Sequence, residues 1–275
     1  MPDRQQFINS LSLKLELFTS LVPLPTLIYF VSVFGGREGT DDILNVGLSG
    51  SIFGIMTVLF GVYIRKLRLS RLFLELERLN KNIINTHDKK ELKLRILNYP
   101  ILEAQMIAFR WLIGVTGALV IFYILSGSMP SGIFYTTNFG LFFVLPISIV
   151  MYLYTTEMYI GKLLRLREIM IIHVPIKQVK YFGAYKRIFL AIFSVAIIPV
   201  SILGYILYSV IHNELKLNYP GIHIFILSFG ALLSMIIVSS TFAFSLRESL
   251  QYNNEILIKI AKGEFEEESS VFSTD

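Results

Sequence analysis

Six apolar stretches, each about as long as a bilayer is thick, constrain this chain more than any other feature. Crossing a hydrocarbon core of roughly 30 Å takes about 20 apolar residues in a helix, because in lipid every backbone N–H and C=O must be paired within its own segment. These stretches predict an all-α polytopic membrane protein with six transmembrane helices. They run from Leu13 to Phe34, Ile43 to Ile64, Ile107 to Ser126, Ile133 to Tyr154, Ile188 to Ile211 and Ile222 to Leu246.

The composition fits a chain that uses the bilayer as part of its solvent. Of 275 residues, 54% are hydrophobic and only 16% are charged, whereas ordinary soluble domains carry about 25% charged residues. Cysteine is absent, which excludes disulfides, thiolate metal sites and cysteine nucleophiles. The sequence contains no phosphate-binding glycine loop and no plausible pair of nucleophile and base. We therefore expect no catalytic site, cofactor or metal in this chain.

Basic residues are concentrated in two of the connecting segments. The segment from Arg65 to Arg95 holds ten Lys or Arg residues and the segment from Lys162 to Arg187 holds seven, while the other connections are nearly free of them. Basic connections stay cytoplasmic, so the pattern predicts an inner-membrane protein with both termini in the cytoplasm. The net charge of +5 then reflects topology and contact with anionic lipid headgroups, and we expect no nucleic-acid partner.

The spans are arranged with a regular spacing. The even-numbered spans begin near residues 43, 133 and 222, close to 90 residues apart, which favours three hairpins. The regularity arises either from duplication of one hairpin or simply from the alternation of spans with basic inner loops. In each hairpin the second helix continues as an amphipathic extension among charged residues. We expect a transmembrane domain over residues 1–246, with a long helical inner loop at 65–103 and a second inner loop at 155–187.

The apolar pattern continues past the sixth stretch. Its residues recur at alternating steps of three and four, which is the a/d seam of a coiled coil and requires a partner helix, so we expect a homodimer. The seam consists of Ala243, Leu246, Leu250, Asn253, Leu257 and Ile260. After the seam, Gly263 offers a natural helix stop, with Lys259 and Lys262 complementing the helix dipole in the last turn.

The same residues carry a resemblance. The stretch LRESLQYNNEILIKIAKGEFEEESSVFSTD resembles the first half of a HAMP domain, the dimeric signalling relay that follows transmembrane helices in bacterial receptors. The matching positions are Leu250, Ile256, Ile260, Ala261, Gly263, Glu264 and Phe265, with Asp275 at the start of the family's Asp-Glu-x-Gly motif. The pattern is broken at Ser249, Asn253, Glu267 and Ser269. The resemblance implies that residues 247–275 are half of a HAMP domain and that the chain stops before the second HAMP helix.

The region in front of this helix resembles the membrane anchors of bacterial class III adenylate and guanylate cyclases. The resemblance rests on six short-looped spans and on the LNYP of Leu97–Pro100, which leads into a third span with Arg110 and Trp111. It implies an anchor and receptor module that relays a signal to a C-terminal output domain making cAMP from ATP, with Mg and ATP needed only there. A histidine kinase sensor is an alternative. A small-molecule transporter fits less well, because no ionisable residue lies in the middle third of any span.

Arg110 and Trp111 are the candidate interfacial or ligand-contacting residues. Arg110 lies about one turn inside the third span, where a long basic side chain commonly snorkels to the interface. The sequence favours snorkelling, with contact to a lipid headgroup or ligand as the alternative. Glu16 is expected at the interface or beside a nearby base.

Two further groups of residues have weaker signals. The small-residue pattern in the second span predicts a close approach of helices; it consists of Gly47, Gly50, Ser51 and Gly54. The polar residues around the last outer loop are a weak signature of a metal site or a pH sensor; they are His212, Glu214 and His223.

Overall fold

The structure of the chain is a computed structural model. It describes residues 3–21, 23–34, 40–81, 83–174, 198–211 and 220–261, together with residues 179, 189, 192 and 193. The helices are α1 (Arg4–Leu21), α2 (Pro23–Phe34), α3 (Thr40–Asn80), α4 (Thr86–Ser126), α5 (Ser131–Leu164), α6 (Arg167–Met170), α7 (Ile198–Ile211) and α8 (Pro220–Ala261).

The all-α fold class is confirmed over the described residues, where helices are joined by short connections. Three of the described helices, α3, α4 and α5, are long and apolar enough to cross a membrane. The membrane character predicted from composition is therefore supported by these three elements. The arrangement of six spans in three hairpins stays a prediction.

The first predicted span, from Leu13 to Phe34, falls on two described helical segments. α1 is described to Leu21 and α2 from Pro23, and Val22 between them lies outside the described residues. α2 is a 12-residue apolar helix, and α1 is amphipathic. The buried face of α1 has helical spacing and consists of Phe7, Ile8, Leu11 and Leu15.

The predicted polar extensions are continuous with the membrane helices. α3 runs on from Ile64 to Asn80, and α4 begins at Thr86, well before the predicted span start at Ile107. α4 ends at Ser126 and is capped by Gly127, whose φ of 68° is the left-handed conformation that glycine adopts without strain and whose N–H donates to the carbonyl of Tyr123 at 2.9 Å. The long helical loop predicted at residues 65–103 is thus an antiparallel pair of helices.

The extensions of α3 and α4 share an apolar core with α1, the end of α5 and α6. We call this part of the molecule, which contains the basic segment from Arg65 to Arg95, the basic end. Its buried side chains recur every three or four residues, as expected of one helix face. They include Leu69, Leu72, Phe73, Leu76 and Leu79 of α3, Leu92, Ile96 and Leu97 of α4, Tyr159, Ile160 and Leu163 of α5, and Ile169 of α6.

α8 packs on α2, α5 and α7 in its first half. Its Leu227 is buried with Phe30 and Phe34 of α2, and its Ile237 packs against a buried cluster of α5 that consists of Val150, Met151 and Tyr154. Beyond Val238 every described side chain of α8 is exposed; these residues are Ser239, Ser240, Ala243, Arg247, Asn254 and Ile258.

Lys93 is a buried cation that joins α4 to the chain after α6. Its Nζ donates to the carbonyl of Ile172 at 2.8 Å and to that of Met170 at 3.4 Å. Only 1% of the residue is exposed, and this burial lowers the pKa of Lys93, because an ammonium group loses hydration in the core.

This lowered pKa predicts a pH dependence of stability. Between the folded pKa of Lys93 and its ordinary value of 10.5, the unfolded chain binds more protons than the folded chain, so the free energy of unfolding contributed by Lys93 rises with pH. In detergent micelles we expect the wild type to gain stability relative to Lys93→Met as the pH rises through this window. Lys90→Met, at an exposed position of the same helix, is the control. Parallel stability curves for wild type and Lys93→Met would contradict the prediction.

Candidate functional site

Four charged side chains from three helices meet inside the bundle where the predicted spans pass into the basic end. They are Glu16 of α1, Arg65 of α3, and Glu103 and Arg110 of α4, and none is more than 8% exposed. Two tyrosines, Tyr99 of α4 and Tyr152 of α5, complete the group. We call these six residues the ionic cluster.

Glu16 is the centre of the ionic cluster. Its Oε1 accepts hydrogen bonds from Arg65 Nη2 at 3.0 Å, Arg110 Nη1 at 2.9 Å and the hydroxyl of Tyr152 at 3.0 Å. Its Oε2 accepts from Arg110 Nη2 at 2.8 Å. One carboxylate therefore joins α1 to α3, α4 and α5, and the paired contacts with Arg110 have the two-pronged geometry that makes arginine–carboxylate bonds strong.

Glu103 holds the other side of Arg65. Its Oε2 accepts from Arg65 Nε at 3.0 Å, and its Oε1 accepts from the hydroxyl of Tyr99 at 2.8 Å. Tyr99 lies one turn before Glu103, so α4 supplies both the carboxylate and a donor that fixes it. Arg65 is thereby clamped between carboxylates from two helices.

The ionic cluster balances its own charge. Two guanidinium groups face two carboxylates, and each charged group bonds to an opposite charge, which is what a desolvated site requires. Because both carboxylates accept bonds from several donors, neither is free to act as a general base. Two guanidinium nitrogens, Arg65 Nη1 and Arg110 Nε, have no hydrogen-bond acceptor among the described residues.

The structure corrects the interpretation of Arg110 as a snorkelling side chain. Arg110 is only 4% exposed and turns inward across Gly61 of α3 to reach Glu16. Pairing with a carboxylate at the same depth is more favourable than reaching for the interface, since it satisfies two buried charges at once. Glu16 pairs with basic side chains, which is one of the two environments predicted for it. These side chains, Arg65 and Arg110, lie far from it in sequence.

Arg65, Glu103 and Tyr152 were missed by sequence reasoning. A weak signal existed, because Tyr99, Glu103 and Arg110 are four and seven residues apart and so lie on one face of α4. The predicted boundaries concealed it, since Arg65 and Glu103 fell at the two ends of the segment 65–103, which was predicted as an inner loop outside the spans.

A cavity lies beside the ionic cluster, between α2, α3, α4 and α5. Its volume is about 90 Å³, and Arg110 and Trp111 contribute to its wall. Trp111 is buried and donates from Nε1 to Oγ of Ser148 at 2.8 Å. The other lining residues are mostly aliphatic, among them Leu24, Leu27, Ile28, Val46, Val58, Ile107, Val115, Leu119 and Phe122.

The small-residue pattern of the second predicted span lies partly at this cavity. A Cβ atom on Gly50 would meet Ile28 at 3.1 Å, and one on Gly54 would meet Leu24 at 2.9 Å. The predicted close approach is therefore present between α3 and α2 at these two glycines. Gly47 has nothing within 4 Å of such an atom, and Ser51 is exposed, so the other half of the pattern faces away.

α2 connects the wall of the cavity to α8. The hydroxyl of Tyr29 lies 2.7 Å from Nδ1 of His223, forming a hydrogen bond between the two helices. His223 thus has a partner in the bundle, whereas His212 and Glu214 lie outside the described residues, so the predicted metal or pH signature stays a prediction.

The predicted dimer seam lies on α8. Ala243 is exposed, and the side chains of Leu246, Leu250, Asn253, Leu257 and Ile260 are outside the described residues, although the backbone there is helical. The predicted HAMP junction, Gly263, Glu264, Phe265 and Asp275, lies entirely outside them.

No protein-family model, curated protein or solved structure matches this chain.

Proposed function

We propose that this chain is the membrane anchor and sensor module of a signalling protein, which dimerises and passes a signal along α8 to an output domain. The observation that carries the proposal is the length of α8, one helix of 42 residues from Pro220 to Ala261. At 1.5 Å per residue it extends about 63 Å, twice the hydrocarbon thickness of about 30 Å. A single helix can thus begin in the membrane and extend well beyond it.

The described side chains in the second half of α8 support a partner outside this chain. Those beyond Val238 are exposed; they include Ala243 of the seam and the apolar Ile258, which follows the seam residue Leu257 and is 46% exposed. The a/d spacing of this segment is that of a helix that pairs with a parallel copy of itself. The proposal therefore places two chains side by side in an inner membrane, with six spans each and with both termini in the cytoplasm.

The contacts within the bundle support movement of α8 relative to the rest. The ionic cluster joins α1, α3, α4 and α5 by charged hydrogen bonds. Among the described contacts of α8 are apolar contacts with α2 and α5 and the Tyr29–His223 hydrogen bond, and contacts of this kind tolerate small shifts better than a buried ion-pair network does. A less constrained helix beside a rigid core can adopt two arrangements relative to that core. A signal that favours one of them would do so with a coupling free energy of order 1–3 kcal/mol.

The HAMP resemblance indicates the kind of output. A HAMP relay passes a small rotation or tilt of a dimeric helix bundle to the domain that follows it. The cyclase resemblance of the membrane region makes a class III adenylate cyclase the proposed output, with its ATP and Mg bound outside this chain. A dimeric anchor suits that output, because such cyclases assemble each active site between two chains.

Disulfide crosslinking tests the parallel pairing of α8. The chain has no cysteine, so single substitutions Leu250→Cys and Leu257→Cys introduce the only thiols. In a parallel a/d seam each new cysteine faces its own copy, and we expect a dimeric product in oxidised membranes. Glu248→Cys and Glu255→Cys, on the opposite face of the same heptads, are the matched controls and should crosslink at least about tenfold more slowly.

Three results would count against the proposal. The seam cysteines could give no dimer, all four cysteines could crosslink at the same rate, or the two control cysteines could crosslink faster. The first result rejects a parallel pair, the second indicates random collision, and the third places the contact on the wrong face of the helix.

A further inference from the structure

Two lysines from different helices meet at the aromatic ring of Tyr159 on α5. The Nζ atom of Lys14 of α1 lies 5.3 Å from the centre of this ring, and the Nζ atom of Lys162 of α5 lies 5.0 Å from it. The two nitrogens are therefore at most 10.3 Å apart, the sum of these distances. Both lysines are exposed, and we call them the lysine pair.

Tyr159 is a fixed support for the lysine pair. It is only 6% exposed, its hydroxyl shares a hydrogen bond of 2.6 Å with Oγ of Ser10, and its ring packs edge-on against Phe7 with 5.6 Å between centres. Phe7, Ser10 and Lys14 follow one another at steps of three and four residues, so one face of α1 contacts the ring. The face of an aromatic ring attracts ammonium groups, which keeps both lysines near Tyr159 before any ligand binds.

The lysine pair has no counterion among the described residues. The ion pairs of the neighbouring helices are formed by Arg65, Arg95 and Arg110, and none includes Lys14 or Lys162. The nearest acidic residue in sequence to Lys14 is Glu16, whose two carboxylate oxygens already accept four hydrogen bonds in the ionic cluster. Two positive charges held this close repel each other, and an anion between them would relieve that repulsion.

The lysine pair lies near the level where the predicted spans pass into the basic end. Lys14 is at the start of the first predicted span, and Tyr159 is five residues beyond the predicted end of the fourth span at Tyr154. Lipid headgroups are expected at this level. One turn beyond Lys14 on the same side of α1, towards the predicted span, Leu17 is 44% exposed. A hydrocarbon chain can therefore lie against Leu17 while a phosphate group contacts the lysines.

We propose that the lysine pair binds the headgroup phosphate of an anionic phospholipid such as phosphatidylglycerol, with an acyl chain of that lipid along Leu17. A zwitterionic headgroup carries its own cation, which the lysines repel and for which the pair offers no carboxylate. The site therefore selects for a net negative charge. It uses only α1 and α5, so its existence does not depend on the signalling role proposed above.

Competition between two lipids tests this selectivity. The purified protein in a neutral detergent is equilibrated with equal amounts of phosphatidylglycerol and phosphatidylcholine that have the same acyl chains, and the lipid that stays with the protein is quantified by mass spectrometry. We expect phosphatidylglycerol to be retained at least about fivefold more than phosphatidylcholine. An excess of inorganic phosphate should leave it bound, because the free ion lacks the acyl chain that is buried against Leu17.

Substitution of the lysine pair supplies matched variants. Lys14→Gln/Lys162→Gln should abolish the preference for phosphatidylglycerol. The control Lys66→Gln/Lys90→Gln removes two other exposed lysines, of α3 and α4, and so has the same net charge; it should keep the preference. The comparison of the two lipids uses the wild-type protein and stays decisive if Lys14→Gln/Lys162→Gln does not fold.

Three results would overturn the proposal. Equal retention of the two lipids by the wild type means that the site does not select a negative charge. An equal loss of preference in both double variants means that the net charge of the protein attracts the lipid, without a site at Tyr159. Release of phosphatidylglycerol by inorganic phosphate means that the lysines bind anions in general, and it overturns the assignment to a lipid.

Discussion

Glu16→Gln should destabilise this protein by about 3–5 kcal/mol, the usual cost of breaking a buried ion pair by removing one partner. The amide keeps the size of the side chain but removes the charge that compensates Arg65 and Arg110 together. Glu16 accepts four of the hydrogen bonds in the ionic cluster. One change therefore leaves two buried guanidinium groups to share the carboxylate of Glu103.

The same substitution at an exposed ion pair is the control. Glu91 pairs with Arg95 at 3.0 Å, with about half of each side chain exposed, and such surface pairs contribute about 0–1 kcal/mol. The free energy of unfolding in detergent micelles should separate Glu16→Gln from Glu91→Gln clearly. The double variant Glu16→Gln/Arg110→Met removes one charge of each sign and should cost less than the sum of its single variants. If Glu16→Gln and Glu91→Gln lower stability equally, the ionic cluster does not stabilise the fold in this way.

The long helices could be predicted from the sequence because their signals are local. Hydropathy identifies the apolar parts of α3, α4 and α5, and the 3.6-residue spacing of Leu69, Leu72 and Leu76 marks one buried face in the extension of α3. These features depend on residues within a few turns of one another. They survive whatever tertiary packing the chain adopts.

The ionic cluster could not be predicted because its pairing is tertiary. Glu16 and Arg110 are 94 residues apart, and nothing in either segment indicates that α1 and α4 meet at the same depth. The snorkelling rule applied to Arg110 holds for a basic residue near the end of an isolated helix. It fails when a neighbouring helix brings a carboxylate to that level.

Gly61→Ala should have the second large effect, because this glycine provides space for Arg110. A Cβ atom at position 61 would overlap the guanidinium group of Arg110, which is held in place by its two contacts with Glu16. Either the helices separate or Arg110 leaves its partner. We expect a loss of about 3 kcal/mol in the free energy of unfolding, the upper part of the range for overpacking a core.

Gly47→Ala is the matched control on the same helix. Nothing lies within 4 Å of a Cβ atom there, so the alanine should leave stability unchanged or raise it by about 0.5–1 kcal/mol, since alanine is the better helix former. The two substitutions are chemically identical, and we expect only Gly61→Ala to lower the free energy of unfolding. In an Arg110→Met background, Gly61→Ala should cost less than in the wild type, because a flexible thioether can move aside. An equal cost in both backgrounds would mean that the cost arises from backbone packing at position 61, and that Arg110 is not what the glycine accommodates.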